Sequence, residues 1–245
     1  MRQVLNKVRN VTRRVRAIYS PRVASKVRWY EEAAEWNERG VPTRILRNAV
    51  LVAETGSVYF PVAKAANSSM RAMIAGDSAW QPIITAGITL NDIALGKIPT
   101  FTVVRHPVER FWSAYADKIV RKIKEPDAKL VIQVRDALGL STTDTIRPEQ
   151  MLDFLESQSF SAMDQHFLPQ WYCTGIRHLP ISFIGRVENL SADIAELVQR
   201  NLLPPRVSTF PHLNRSEGKS LIDPKLQQRV VSFYEQDFAT FGYDV

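Results

Sequence analysis

The chain has 245 residues, of which 45% are hydrophobic and 23% are charged, and these fractions exclude a largely disordered protein. Its length fits one large domain better than two small ones. The one cysteine, Cys173, excludes an internal disulfide and a cysteine-based zinc site, and a reducing compartment suits such a chain. No apolar run approaches the roughly 18 residues that span a bilayer, so we expect no spanning anchor.

The net charge of +7 is distributed unevenly along the chain. Residues 1–28 hold nine basic and no acidic residues, whereas the rest of the chain holds 23 basic and 25 acidic residues. The basic charge therefore belongs to an N-terminal arm, and the body is nearly neutral. This distribution gives no reason to expect a nucleic-acid partner.

The arm has the periodicity of an amphipathic helix. Three interpretations of it stay open: a helix docked on the body by its apolar face, a segment that contacts an anionic membrane surface or polyanion, and an organelle-targeting presequence. Residues 29–39 predict a further helix, which Gly40 and Pro42 end. We therefore divide the chain into an arm and helix at residues 1–40 and a single domain at residues 41–245. The apolar positions of the arm are Val4, Val8, Val11, Val15 and Ile18.

The stretch FTVVRHPVERFWSAY, residues 101–115, predicts a strand, a sharp turn and the start of a helix. The β-branched and aromatic run at residues 101–104 is typical of a buried strand, and Pro107 is typical of a first helical turn. Arg105 lies at the end of the strand, and Ser113 lies about two turns into the helix. Helix N-termini favour anions, so a cation and a hydroxyl there are candidate anion ligands. The alternative is an ordinary connection with a surface arginine.

A second strand-to-helix connection follows the predicted strand at residues 57–62. Lys64 precedes the hydroxyl groups of Ser68 and Ser69 by four and five residues, at the start of a helix. Backbone amides, hydroxyls and a lysine in this arrangement can hold a phosphate-type anion. No glycine lies between residues 61 and 69, so the G-x-x-x-x-G-K-[ST] loop of ATP and GTP hydrolases is not present. A capped helix with a solvent-exposed lysine is the alternative interpretation.

A third predicted strand, residues 181–185, is followed by Arg186 and by a helix that Ser191 is expected to cap. Strands that alternate with helices predict an α/β fold, in which a parallel sheet is flanked by helices and ligands bind at the carboxyl ends of the strands. Further helices are predicted at residues 107–123, 127–138, 148–155, 191–202 and 224–238, and a polar loop that contains His166 is predicted at residues 164–170.

Several of these segments together resemble the sulfotransferases. RHPVERFWSAY, residues 105–115, is similar to their 3′-phosphate-binding motif, and FPVAKAANSSMR, residues 60–71, is similar to their 5′-phosphosulfate-binding loop. FIGRVENL, DFATFGYD and the run from His166 to Cys173 resemble segments of the carbohydrate sulfotransferases. The resemblance covers residues 57–244 in the same order, and it implies the P-loop-like nucleotide-binding fold of that family.

The resemblance implies a role for each residue that matches a family motif. It implies that Lys64 contacts the 5′ phosphate and the oxygen bridging phosphorus and sulfur, and that Arg105 and Ser113 hold the 3′ phosphate. Ala63 and Val187 depart from the pattern, since family members usually have proline and often an aromatic residue at these positions. The donor-binding residues implied in this way are Lys64, Ala65, Ala66, Asn67, Ser68, Ser69, Arg105, Ser113, Arg186 and Arg215, with Asn214 and Lys219 in the same late basic loop.

The implied reaction is the transfer of a sulfuryl group from 3′-phosphoadenosine 5′-phosphosulfate (PAPS) to a hydroxyl of a carbohydrate or glycolipid, with no metal ion. Lys64 is the candidate for stabilising the leaving phosphate. His166 is the first candidate for the base that takes the acceptor proton, because imidazole titrates near working pH, and Glu188 and His106 are alternatives.

Two other functions stay open at this stage. One is a nucleotide kinase or NTPase, which would also need Lys64 and Arg105. The other is a non-enzymatic adaptor that binds membranes or polyanions through residues 1–28. The expected location is the cytoplasm, with peripheral contact at the inner membrane face.

Overall fold

The computed structural model of the protein describes residues 21–76, 81–207 and 223–245. The sequence predictions for residues 1–20 and for the late basic loop, including Arg215, lie outside the described residues.

A mostly parallel sheet forms the centre of the described structure, with strands at Val50–Val52 (β1), Ser57–Phe60 (β2), Thr100–Val104 (β3) and Phe183–Arg186 (β4). The spatial order is β1-β2-β3-β4; β1 is antiparallel to β2, while β2 to β4 run parallel. Every residue of β2 and β3 is buried, and this is why their sequences are continuous β-branched and aromatic runs. The predicted α/β fold, a parallel sheet flanked by helices, is confirmed.

The helices connect the strands and cover both faces of the sheet. The helix after β3 turns from α-helical to π-helical at Ala116–Val120, before the predicted end at residue 123. The helical segments are Pro21–Glu38 (α1), Thr43–Leu46 (α2), Asn67–Ala75 (α3), Ile83–Ala86 (α4), Leu90–Ala94 (α5), Pro107–Tyr115 (α6), Lys129–Leu138 (α7), Pro148–Glu156 (α8), Gln170–Thr174 (α9), Leu190–Gln199 (α10), Pro224–Phe233 (α11) and Glu235–Phe241 (α12).

Two predicted helix boundaries are wrong. Ser191 does not cap α10, because the helix begins one residue earlier and Asn189 occupies the cap position. The last predicted helix is two helices, separated at Tyr234, whose φ of −105° and ψ of 19° are not helical. The Tyr234 side chain is buried and its hydroxyl donates to the Phe167 carbonyl oxygen at 2.7 Å, a tertiary contact that local periodicity does not reveal.

Apolar side chains pack on the two faces of the sheet in alternation along each strand. Val58 and Phe60 face a cluster that includes Trp29 and Trp36 of α1. The opposite face carries a second cluster, to which β1, β2, β3, α3 and α10 contribute Val50, Val52, Tyr59, Phe101, Val103, Met70, Ile74, Ile194 and Leu197. A third cluster joins α6 to α9, α11 and α12 beside the sheet.

The helix α1 is part of this packing although the sequence grouped it with the N-terminal arm. Trp36→Ala should lower the free energy of unfolding by about 3–5 kcal/mol, because a buried tryptophan leaves a large cavity. Urea unfolding measures the change, and Glu35→Ala, at an exposed position of the same helix, is the control. Equal stability of the two variants would show that α1 does not pack on the sheet.

Two further properties concern the described residues alone. None of their helices combines the length and the apolar character that crossing a bilayer requires. Among the same residues, no group of three or more histidine, cysteine, aspartate or glutamate side chains is placed to hold a metal ion.

Candidate active site

Three strand-to-helix connections meet at the carboxyl edge of the sheet. Phe60 of β2 pairs with Thr102 of β3, so the loop that holds Lys64 and the turn that holds Arg105 leave adjacent parallel strands. The end of β4 is level with the end of β3, because Val104 pairs with Arg186. The structure therefore brings together the two predicted anion-binding segments, which are about 40 residues apart in sequence.

The loop between β2 and α3 has an unusual backbone. Lys64 and Ala66 have φ angles of 68° and 54°, a left-handed backbone conformation that residues other than glycine rarely adopt. Each such residue costs on the order of 1–3 kcal/mol and tends to occur at functional sites. Ala66 is also the cap residue of α3 and supplies no side-chain hydrogen bond to its first turn. The N–H groups of the first turn of α3 are therefore not capped by that side chain, and such groups favour an anion.

The polar side chains of this loop differ in exposure. Ser69 is buried, Ser68 is exposed, and the amide oxygen of Asn67 is buried without a hydrogen-bond partner among the described residues. A helix start with free backbone donors beside a lysine fits a phosphate or phosphosulfate group.

Lys64 is not a solvated surface lysine. Its side chain is only 20% exposed, and its Nζ lies 3.1 Å from Oδ2 of Asp117. Asp117 stands on the π-helical turn after α6, and Nζ of Lys118 lies 3.3 Å from the same oxygen. Burial favours the neutral acid, but the hydrogen bonds and charges of Lys64 and Lys118 outweigh burial and hold the pKa of Asp117 below its usual value. The π-helical turn thus delivers a carboxylate to the loop lysine.

Arg105 begins the turn between β3 and α6. Its side chain is 16% exposed and its Nη2 lies 3.4 Å from Oε2 of Glu109, one turn into the helix. Ser113, one turn further on, is partly buried. The turn before α6 is held from elsewhere in the chain, because Oε1 of Glu188 accepts the His106 N–H at 2.6 Å.

His166 lies in the turn before α9. Its Nδ1 is 2.7 Å from Oδ1 of Asp164, which also accepts the His166 backbone N–H at 2.9 Å. Burial opposes ionisation of Asp164, but the two hydrogen bonds from His166 prevail and lower its pKa. Because ionised Asp164 accepts from Nδ1–H, Nε2 is the unprotonated nitrogen of the neutral ring.

The two candidate catalytic residues are joined by a series of charges. Lys64 pairs with Asp117, Asp117 pairs with Lys118, and Lys118 interacts electrostatically with Asp164, the partner of His166. The charges beside Lys64 therefore also act on Asp164, the partner of His166.

The alternative bases and one implied donor residue have other contacts. Glu188 also accepts a hydrogen bond from the Tyr243 hydroxyl at 3.1 Å, and His106 packs edge-on against Tyr243 with Nδ1 buried.

Nη2 of Arg186 donates to the carbonyl oxygens of Phe241 at 2.5 Å and Gly242 at 3.2 Å. These contacts hold the C-terminal segment against β4, and a donor-binding role of Arg186 stays a prediction.

Sequence reasoning missed three polar residues near the site: Asp117, Arg110 and Asp237. Arg110 and Asp237 are fully buried, which is rare for charged side chains. Burial raises the pKa of Asp237 to about 6, while the charge of Arg110 and hydrogen bonds from Gln170 and Trp171 oppose the rise. The sequence carried one signal of this burial: Arg110 lies between Val108 and Phe111, on the apolar side of α6.

The fold and the site define an α/β protein with two candidate anion-binding segments at the carboxyl ends of adjacent parallel strands. The chain belongs to the sulfotransferase family: the family model described as "Sulfotransferase family" matches residues 58–244, from β2 to the penultimate residue. The resemblance recognised from the motifs is confirmed.

Two curated relatives are similar over part of the chain. Carbohydrate sulfotransferase 14 of Mus musculus is 27% identical over 157 residues, and that of Homo sapiens is 28% identical over 157 residues. Each match covers 58% of this chain and 42% of the relative, so the chain spans less than half the length of these proteins. No solved structure matches the chain.

Proposed function

We propose that the protein is a PAPS-dependent sulfotransferase that acts on a hydroxyl group of a carbohydrate. The observation that carries the proposal is the position of Lys64 and Arg105 at the ends of adjacent parallel strands, within a chain of the sulfotransferase family. A donor with phosphate groups at both its 5′ and 3′ positions needs two separate cationic sites, which these two segments supply.

The reaction exchanges a sulfur–oxygen bond to the 5′ phosphate for a sulfur–oxygen bond to the acceptor. Negative charge then grows on the phosphate that leaves, and Lys64 and the first turn of α3 are placed to stabilise it. Asp117 keeps the Lys64 ammonium group beside the loop. Arg105 and Ser113 hold the 3′ phosphate, for which the planar fork of an arginine suits better than a lysine.

The acceptor must lose a proton as its oxygen attacks. In this proposal Nε2 of His166 takes that proton, and Asp164 stabilises the imidazolium that forms. The proposal of a carbohydrate acceptor rests on the names of the two relatives, and a glycolipid is a more specific acceptor within this proposal. Binding of residues 1–28 to an anionic membrane surface and a cytoplasmic location stay predictions.

The test of the donor is a comparison of two nucleotides by isothermal titration calorimetry. Adenosine 3′,5′-bisphosphate should bind at least about tenfold more tightly than AMP, because only the bisphosphate reaches both cationic sites. Arg105→Ala should remove most of this difference. Arg200→Ala is the matched control, since Arg200 also pairs with a glutamate four residues away but lies at the end of α10. Equal binding of the two nucleotides to the unmutated protein would contradict the proposed donor.

A further inference from the structure

Gln170 makes an unusual pair of contacts with the backbone of Arg105. Its Oε1 accepts the Arg105 N–H at 2.9 Å, and its Nε2 donates to the Arg105 carbonyl oxygen at 2.8 Å. The side chain thus satisfies both polar groups of one residue as a neighbouring strand would, at the point where β3 ends. Gln170 is fully buried, so water cannot replace these bonds.

Asp237 in turn fixes the backbone of Gln170. Its two carboxylate oxygens accept the N–H groups of Gln170 and Trp171, each at 2.8 Å. These N–H groups belong to the first turn of α9, where a buried carboxylate is a strong cap. Asp237 of the C-terminal helix α12 therefore fixes the backbone from which the Gln170 side chain extends.

The same buried region reaches the loop that holds Lys64. Nε of Arg110 donates to the Ala63 carbonyl oxygen at 2.9 Å, and the charge of Arg110 acts on the Asp237 carboxylate. Both side chains are fully buried, so their interaction is little screened by solvent. A side chain of α6 thus contacts the backbone of the Lys64 loop and a side chain of α9 contacts the backbone of Arg105, while a side chain of α12 holds the start of α9.

We propose that Gln170, held by Asp237, is a positioning residue that sets the orientation of Arg105 and thereby the recognition of the donor's 3′ phosphate. The inference rests on the proposed function. Gln170 does not touch the donor; it fixes the peptide from which the Arg105 side chain extends. A small misplacement of a charged fork loses one of its two hydrogen bonds, so affinity for the 3′ phosphate falls while contacts with the 5′ phosphate remain.

The test is Gln170→Leu, which removes both hydrogen bonds at similar volume. We expect binding of adenosine 3′,5′-bisphosphate to weaken at least about tenfold and binding of AMP to change less than about threefold. The KM for PAPS should rise by a similar factor, with kcat at saturating donor nearly unchanged. Ser57→Ala is the matched control: it removes a buried 2.6 Å hydrogen bond from a side chain to the Leu202 carbonyl, but at the other end of β2.

The two variants separate positioning from stability. If Gln170 were only a structural residue, Gln170→Leu and Ser57→Ala would both unfold more easily in urea and both keep the ratio of the two nucleotide affinities. That result would overturn the inference. The unmutated protein shows whether the inference or the proposed function has failed. If the unmutated protein binds the bisphosphate and AMP equally, the proposed function itself is contradicted.

A conservative variant keeps the test decisive if Gln170→Leu does not fold. Gln170→Glu retains an oxygen that faces the Arg105 N–H but loses the donor to the Arg105 carbonyl. It should lower the affinity for the bisphosphate relative to the unmutated protein, again with AMP binding kept. A folded Gln170→Glu protein with the unmutated affinity ratio would overturn the inference on its own.

Discussion

Lys64→Ala should lower kcat by about 10²–10³-fold, the usual cost of removing one preorganised group that stabilises charge in a transition state. Lys64 precedes the first residue of α3 by three residues, and the backbone N–H groups of that helix start already favour an anion. Charge on the leaving phosphate grows only during transfer, so the loss should appear in kcat more than in the KM for PAPS.

The measurement is steady-state turnover with PAPS and a carbohydrate acceptor, alongside calorimetric binding of adenosine 3′,5′-bisphosphate. Lys97→Ala is the matched control: Lys97 also pairs with an aspartate, Asp92, at 3.5 Å, but its side chain is 61% exposed and lies after α5. We expect this control to retain the unmutated kcat, since exposed ion pairs contribute little. A Lys64→Ala enzyme with kcat within about threefold of the unmutated value would remove Lys64 from the chemistry.

The segment from β3 to α6 could be predicted because its signals are local. A run of buried β-branched residues, the cation Arg105 and Pro107 at the first helical position together indicate a strand, a turn and a helix start. The same reasoning found the strand before Lys64 and the strand before Arg186. Three strands that alternate with helices were enough to predict the parallel sheet.

The conformation of the Lys64 loop could not be predicted in the same way. Left-handed backbone is usually signalled by glycine, and this loop has none. The loop is instead in contact with a residue distant in sequence, since the buried guanidinium of Arg110 donates to the Ala63 carbonyl oxygen next to Lys64. The π-helical turn that presents Asp117 is likewise a departure from the regular 3.6-residue period, which pattern reasoning assumes.

The contacts around Gln170 were hidden for a different reason. Gln170 and Arg105 are 65 residues apart, and Asp237 is a further 67 residues along the chain. A hydrogen bond at such separation leaves no periodic trace in a single sequence, and a glutamine in a polar loop looks like a solvated residue. Local patterns therefore give the elements that carry the candidate site, whereas the side chains that fix their relative positions appear only in the fold.

His166→Ala should lower kcat by at least about tenfold and up to about 10⁴-fold, the range expected for a general base, with donor binding retained. The structure gives the imidazole a fixed orientation, because Nδ1 is bound to Asp164 at 2.7 Å. The lowered pKa of Asp164 keeps its carboxylate ionised at neutral pH, so it can stabilise the imidazolium that forms when Nε2 accepts a proton.

Three further variants separate the base from its support. His178→Ala, at an exposed position after α9, is the control and should retain the unmutated kcat. Asp164→Asn should lower kcat less than His166→Ala does, because the ring remains but loses its charged partner. In the double variant the two losses should not multiply, since Asp164 acts only through the imidazole. Multiplicative losses would show that the two side chains act separately, and an unchanged kcat in His166→Ala would mean that the proton leaves the acceptor by another route.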